Sequence, residues 1–346
     1  MGEPSSRRGA RVPDRLGMGG LTDAHGRAVR YLRISVTDRC DLRCRYCMSE
    51  EMTFLPRSEL LALEEIAIIA ERFVARGVTK IRLSGGEPLV RRDVGDLVDR
   101  LGRHVGRGLD ELTMTTNGTR LAEHAGRLHA AGIRRVNVSL DSLDPAVFRH
   151  VTRHGDLARV LRGVFAARDA GLRVKINTVA LRGLNEHEIP DILAWTAANG
   201  FDLSLIETMP LGAVDEERID RFLPLTEVFE TLSAGFALAR DDHRSGGPAR
   251  YWSVGDGGTR LGLITPLTAD FCGGCNRVRL TTEGKLYLCL GHDDQVDLKA
   301  ALRDGGIAGL DAAIDRGLSI KPARHDFRIV AGDAPAVARH MSVTGG

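Results

Sequence analysis

The sequence predicts an α/β fold in which six parallel strands and their helices curve into an open, incomplete (β/α)6 barrel followed by a C-terminal extension. Two observations carry this. Strand-like runs alternate with amphipathic stretches from Tyr31 onward, the rhythm of a parallel sheet. Along each run, one parity is mostly apolar and the other polar. A closed barrel with a dry interior would fill its inward positions with branched apolar side chains, and a two-faced parallel sheet would be apolar on both faces. An open barrel suits both parities: apolar positions pack under the outer helices, and polar positions line a cavity for polar ligands.

Strands are expected over Tyr31 to Val36, Lys80 to Ser84, Glu111 to Thr115, Arg135 to Leu140, Val174 to Val179 and Leu203 to Glu207. Helical patterns fall between them, over Glu59 to Arg76, Asp93 to His104, Leu121 to Ala131, Leu157 to Ala170 and Glu186 to Ala198, with glycine near several ends. The apolar parity holds Leu32 and Ile34, Ile81 and Leu83, Leu112 and Met114, Val136 and Val138, and Val174 and Ile176. The polar parity holds Arg33 and Ser35, Arg82 and Ser84, Thr113 and Thr115, Asn137 and Ser139, and Lys175 and Asn177. Cations are costly to bury unpaired, so an anionic ligand or internal carboxylates must compensate Arg33, Arg82 and Lys175.

The six cysteines fall into two groups of three. Cys40, Cys44 and Cys47 are spaced x3 then x2, with Tyr46 ahead of the last, just after the first strand. Three thiolates so close can hold three corners of a cubane iron–sulfur cluster and leave one iron open to a chelating molecule. Common zinc patterns pair C-x2-C with a second pair, and no nearby Cys or His completes one here. The second group is Cys272, Cys275 and Cys289. A cluster would suit it, and so would a Cys3His zinc site completed by His292. After the second strand comes Ser84-Gly85-Gly86-Glu87-Pro88-Leu89, whose glycine pair lets backbone approach a ligand and whose Glu87 can accept from an ammonium group. Both loops follow the carboxyl ends of strands, where sites of such barrels lie.

Composition limits the remaining classes. A chain of 346 residues with 43% hydrophobic content suffices for one large or two ordinary domains, and no apolar run approaches membrane-span length. A soluble protein without a membrane partner is expected. The net charge of +2 argues against nucleic acid, although 43 of the 48 basic residues are Arg, which binds phosphate bidentately. Six thiols without a secretory signal point to the reducing cytoplasm. The expected organisation is a mobile leader rich in Gly, Arg and Pro over 1–28, the barrel over 29–240, and the extension over 241–346.

The Cys40 loop with Tyr46, followed by Gly-Gly-Glu-Pro, resembles the signature of the radical S-adenosylmethionine (SAM) superfamily. From about Tyr31 to Gly346 the chain resembles one family within it, the GTP 3',8-cyclases of molybdenum cofactor biosynthesis. The resemblance implies an incomplete (β/α)6 radical SAM barrel whose C-terminal extension carries a second iron–sulfur cluster. It implies two 4Fe–4S clusters, one on Cys40, Cys44 and Cys47 and one on Cys272, Cys275 and Cys289. SAM is then expected at Tyr46, Gly86, Ser139 and Met209, and GTP at Arg33, Arg82, Thr115, Lys175, Arg277, Val278 and Arg279. Lys321-Pro322, His325 and Met341 also fit the family, and Gly345 and Gly346 are expected to form a catalytic tail reaching back into the cavity. Asp41 and Ser49 stand where Asn and Pro are more usual.

By the same resemblance, the first cluster chelates SAM and reduces it to methionine and a 5'-deoxyadenosyl radical that abstracts the 3' hydrogen of GTP. The carbon radical attacks C8 of guanine, and a further reduction gives (8S)-3',8-cyclo-7,8-dihydroguanosine 5'-triphosphate. The second cluster would meet the guanine edge while Arg and Lys hold the triphosphate. Implied partners are GTP, a flavodoxin or ferredoxin as electron donor, the downstream cyclic pyranopterin monophosphate synthase, and a second copy in a homodimer. Two alternatives stand beside this reading. One is a different auxiliary-cluster radical SAM enzyme, such as a peptide modifier; the other is a non-catalytic metal or redox sensor.

Overall fold

Six parallel strands lie where the alternation places them: β1 (Tyr31–Ser35), β2 (Lys80–Ser84), β3 (Glu111–Thr116), β4 (Arg135–Ser139), β5 (Arg173–Val179) and β6 (Asp202–Ile206). They belong to a computed structural model that describes residues 20–214, 218–269, 271–330 and 335–345. The helices between them are α1 (Leu63–Ala75), α2 (Val94–Gly102), α3 (Leu121–Ala130), α4 (Pro145–Thr152), α5 (Leu157–Asp169) and α6 (Ile189–Ala198). Of these, α4 was not foreseen; Asp144 caps it, accepting from the Ala146 and Val147 amides at 2.7 and 2.9 Å, with Pro145 in its first turn. The predicted first helix starts later than expected, at Leu63, because Arg57–Glu59 form a separate 3-10 turn. The strand parities sort as the pattern requires. Leu32, Ile34, Ile81, Leu83, Met114, Val136, Val138 and Ile176 are fully buried in the core beneath the helices.

The C-terminal extension is not a separate layer. After α7 (Arg218–Arg221) and α8 (Leu225–Gly235) come β7 (Leu238–Asp241), β8 (Arg250–Val254), β9 (Thr259–Ile264), β10 (Arg277–Leu280), β11 (Lys285–Tyr287) and β12 (Gln295–Asp297). The twelve strands form one sheet in the order β12-β11-β10-β1-β2-β3-β4-β5-β6-β9-β8-β7. Thus β9 joins β6 and β10 joins β1, both in parallel, and the extension covers both edges of the six-stranded unit. The expected boundary at 240 falls inside β7. The chain ends in α9 (Leu298–Ser319) and the short α10 (Met341–Thr344). Among the described residues, no helix is long and apolar enough to cross a membrane.

The expected mobile leader needs correcting at its described end. Leu21 and Val29 are buried, and Thr22 bridges Ala28. Arg27, paired with Asp23 at 2.7 Å, donates to the carbonyls of Cys272 at 2.9 Å, Ala323 at 2.5 Å and Pro322 at 2.7 Å. One guanidinium thus fastens this segment to the loop of the second cysteine group. The earlier residues of the leader lie outside the described ones.

Candidate active site

The polar parity of the barrel opens onto two adjoining cavities. Asn177, Ile206, Met209 and Met341 border both, so the two are compartments of one chamber.

The first compartment is built on the loop after β1. Cys40, Cys44 and Cys47 line it as free thiols, and the Cys47 and Met48 amides donate to the Cys44 carbonyl at 2.9 and 3.2 Å. Burial pushes the Cys40 thiol up to about 12, with Glu87 adding repulsion, and Cys47 up to about 11; Cys44 is lifted well above the ordinary thiol range. Thiolates held here therefore need cations close by, and the irons of a cluster would supply them. Around Cys40, the Leu42 amide donates to Sγ at 3.4 Å and Asn117 Nδ2 at 3.7 Å. Among the described residues, no three His, Cys, Asp or Glu side chains converge on a single ion position. A cubane asks only that each thiolate meet a different iron. Tyr46 donates to Asp141 Oδ2 at 2.8 Å while Asp141 Oδ1 accepts from the Val179 amide at 2.9 Å, which ties the cysteine loop to the carboxyl ends of β4 and β5.

The turn after β2 packs directly on this loop. The amides of Gly86 and Glu87 donate to the carbonyls of Thr37 and Arg39, both at 2.8 Å. A Cβ on Gly85 would collide with the Thr37 carbonyl and one on Gly86 with that of Arg39, so this approach admits only glycine. Glu87 departs from its expected role. It is wholly buried and accepts from the Leu89 amide at 2.9 Å, Thr116 Oγ1 at 2.8 Å and the Asn117 amide at 2.6 Å. Its carboxylate shapes the turn instead of facing an ammonium group.

Strand register sets the charge of the second compartment. Arg33 on β1 pairs with Arg82 on β2 and Arg279 on β10; two residues earlier, Tyr31 lies between Lys80 and Arg277. Neighbouring strands are only about 4.8 Å apart, so five cations share one wall. Burial, then repulsion from Arg279, pulls Arg33 well below the usual guanidinium range, and burial with Arg277 brings Arg279 to about 10. Burial, then Arg135 and Arg82, brings Lys175 down to about 7, and its Nζ donates to Tyr251 Oη at 2.6 Å. A polyanion bound here would relieve all of these groups at once. Arg82 Nε and Arg277 Nε are buried without a hydrogen-bond partner among the described residues, as are Thr115 Oγ1 and Asn177 Oδ1 in the chamber.

Cys272, Cys275 and Cys289 also line the second compartment. Burial would raise Cys275, but Lys321 and Arg277 outweigh it and lower the thiol; Lys321 Nζ donates to its Sγ at 3.5 Å. His292 does not complete a Cys3His site. Its Nε2 donates to the Arg324 carbonyl at 2.9 Å, and Asp326 and Asp294 flank the ring at 3.8 and 4.0 Å.

The structure brings Tyr46, Gly86, Ser139 and the first cysteine group together in the first compartment. It brings Arg33, Arg82, Lys175, Arg277, Arg279, Gly345 and the second group together in the other. Met209 borders both. Thr115, expected at GTP, lines the first compartment instead. Val278 faces away from the chamber: flanked by inward-facing Arg277 and Arg279, it pairs with Leu32 and is 1% exposed in the core. Gly346 lies outside the described residues. Sequence reasoning missed Tyr31, Tyr251 and Arg27. Tyr31 shares the parity of Arg33, a usable signal; Tyr251 sits on an unforeseen strand, and Arg27 in a segment read as mobile.

Residues 34–196 match the family model of the Radical SAM superfamily, and residues 201–327 match Molybdenum Cofactor Synthesis C. A protein named GTP 3',8-cyclase from Erythrobacter litoralis (strain HTCC2594) is 60% identical over 94% of this chain and 98% of its own length. One of the same name from Rhizobium etli (strain CIAT 652) is 56% identical over 94% of each. Among solved structures, Streptococcus suis SuiB matches with a TM-score of 0.58 at 14% identity, over 77% of this chain; the chain spans 62% of SuiB. The protein anSMEcpe, with bound AdoMet and a Kp18Cys peptide, matches with a TM-score of 0.55 at 15% identity over 84% of this chain and 82% of its own. At such identities these two likenesses speak to the fold alone.

Proposed function

Because the chain belongs to the GTP 3',8-cyclase family of radical SAM enzymes, we propose that it converts GTP to (8S)-3',8-cyclo-7,8-dihydroguanosine 5'-triphosphate, the first step of molybdenum cofactor biosynthesis. One observation carries the reading. A single chamber holds three half-buried thiols and a glycine turn at one end and, at the other, a five-cation wall with a second set of thiols.

Cys40, Cys44 and Cys47 would hold a 4Fe–4S cluster, which supplies the electron that cleaves bound SAM. Tyr46, Gly86, Ser139 and Met209 surround SAM in this reading. Arg33, Arg82, Lys175, Arg277 and Arg279 fix the triphosphate. Cys272, Cys275 and Cys289 would hold a second cluster beside the guanine. Met209 and Met341, bordering both compartments, set the place where sugar and 5' carbon meet, and holding them in contact gives an indiscriminate radical its selectivity. The chamber's apolar borders exclude water from that point. Electrons come from a flavodoxin or ferredoxin, and the product passes to cyclic pyranopterin monophosphate synthase.

The test is anaerobic reconstitution with iron and sulfide, then incubation with SAM, dithionite and GTP, with nucleotides followed by mass spectrometry. Formation of 5'-deoxyadenosine together with the cyclised nucleotide is expected. Cleavage of SAM with GTP left intact would favour a peptide-modifying enzyme, and no cleavage would favour a sensor.

A further inference from the structure

Tyr31 stands at the centre of the cationic wall without a part in the reading above. Its register neighbours are Lys80 on β2 and Arg277 on β10. Its ring centre lies 5.1 Å from Lys80 Nζ, 5.7 Å from the Arg82 guanidinium carbon and 5.8 Å from that of Arg277, within cation–π range of all three. The residue is 2% exposed, borders the chamber, and has its hydroxyl buried without a hydrogen-bond partner among the described residues. Such a hydroxyl costs stability that a phenylalanine would not. Lys80 is anchored independently, to Glu111 at 2.6 Å and the Ser245 carbonyl at 2.5 Å. Arg82 Nε and Arg277 Nε are buried without a hydrogen-bond partner among the described residues, and the Tyr31 ring lies within cation–π range of both guanidinium groups.

We infer that Tyr31 is a positioning residue for the substrate's triphosphate, its ring fixing the guanidinium groups of Arg82 and Arg277 on the wall. The inference deepens the reading of the chamber as a GTP site and rests on it. Facing the phenol are Arg33 from β1, Lys80 and Arg82 from β2, and Arg277 and Arg279 from β10, with Glu111, Arg135 and Lys175 farther along the wall. Burial alone would raise the phenol, yet the cations bring it down to about 8. A triphosphate offsets their field and restores the protonated phenol, so above pH 8 binding takes up a proton at Tyr31. Lys175, at about 7, takes up a proton over an overlapping range, and a Tyr31 variant separates the two.

The experiment is calorimetric titration of reconstituted enzyme with GTP and, separately, guanosine, at pH 7 and pH 9 in buffers of different ionisation enthalpy. Tyr31→Leu removes ring and proton, and is expected to weaken GTP by about tenfold or more while leaving guanosine within about twofold. Tyr31→Phe keeps the ring; at pH 7 it stays within about threefold of wild type for GTP, and at pH 9 it loses most of one proton of uptake. Iron content and unfolding midpoint check the fold, and the Phe variant keeps the test open should the Leu variant misfold. Wild-type GTP affinity in Tyr31→Leu, or full proton uptake in Tyr31→Phe, overturns the inference while leaving the GTP site standing, provided Lys175→Met weakens GTP. If wild type binds GTP no better than guanosine, the GTP reading falls and the inference with it.

Discussion

Arg279 and Gly345 meet inside the chamber, where Nη1 of the arginine donates to the glycine carbonyl at 3.2 Å. This contact brings Gly345, which follows α10, against the cationic wall, and the Ser342 carbonyl of α10 accepts from Ser35 Oγ at 3.4 Å. Gly345 has φ +75°, and a Cβ there would run into Ser84 Oγ, so the position requires glycine twice over. Deleting Gly345 and Gly346 is expected to leave iron content and the unfolding midpoint near wild type, because two glycines bury little apolar surface. Turnover should fall by about a hundredfold, the scale on which small misplacements cost rate. Cyclised nucleotide formed at the full-length rate would reduce the tail to packing.

Gly86→Ala should fail for a different reason. Its Cβ meets the Arg39 carbonyl within the Cys40 loop, and backbone there cannot yield without moving the thiols. A loss of roughly 1–3 kcal/mol in unfolding free energy is expected, with poor iron uptake at the first group. Gly126→Ala on α3, where the added Cβ meets nothing within 4 Å, is the control and should be neutral or slightly stabilising. Equal iron and equal stability in the two variants would dissociate the glycine turn from the cysteine loop.

The barrel was legible because a period of two, read strand by strand, reports burial on one face and a polar chamber on the other. The cysteines were legible because spacing within one loop is local. What stayed hidden was pairing between distant segments. Nothing near Tyr31 tells it that Arg277 will be its neighbour, and nothing near Leu203 announces its pairing with Leu261. Glu87 was misread because composition does not reveal that Thr116 and the Asn117 amide claim its oxygens. Val278 was carried along by its arginine neighbours, although strand parity alone turns it into the core.

Glu111 gives the cationic wall an acid-sensitive support. It pairs with Lys80 and Arg135, each at 2.6 Å. Burial would raise its carboxyl, but the two cations outweigh that and lower it to about 2. A depressed carboxyl contributes stability that is complete above its ordinary value of 4.5 and is lost as pH falls toward 2. Glu111→Gln should cost roughly 1–3 kcal/mol at pH 7, since it leaves largely buried cations without their counter-ion. It should also flatten the wild-type loss of stability below pH 4.5, measured by urea midpoints across the range. An acid slope as steep as wild type would assign that loss to other carboxylates.

The two cysteine groups should separate cleanly in their effects, because they occupy opposite ends of one chamber and line different compartments. Reconstituted wild type is expected to hold about eight irons, four on each group. Cys40→Ala removes a ligand from the group beside the glycine turn; it should reduce iron to about four and abolish SAM cleavage, since three thiolates are the minimum that leaves a single open iron. Cys289→Ala should likewise reduce iron to about four, yet keep a measurable rate of 5'-deoxyadenosine formation while losing the cyclised nucleotide. The residues around the first group, Tyr46 with Asp141 and Gly86 with Arg39, do not depend on Cys289, so its removal leaves the SAM end intact. Iron quantitation, the electron paramagnetic resonance of the reduced clusters and product analysis of both variants decide the matter. Zinc at Cys272, Cys275 and Cys289 with full activity, or an equal loss of 5'-deoxyadenosine in the two variants with the first cluster intact in Cys289→Ala, would overturn this division of labour.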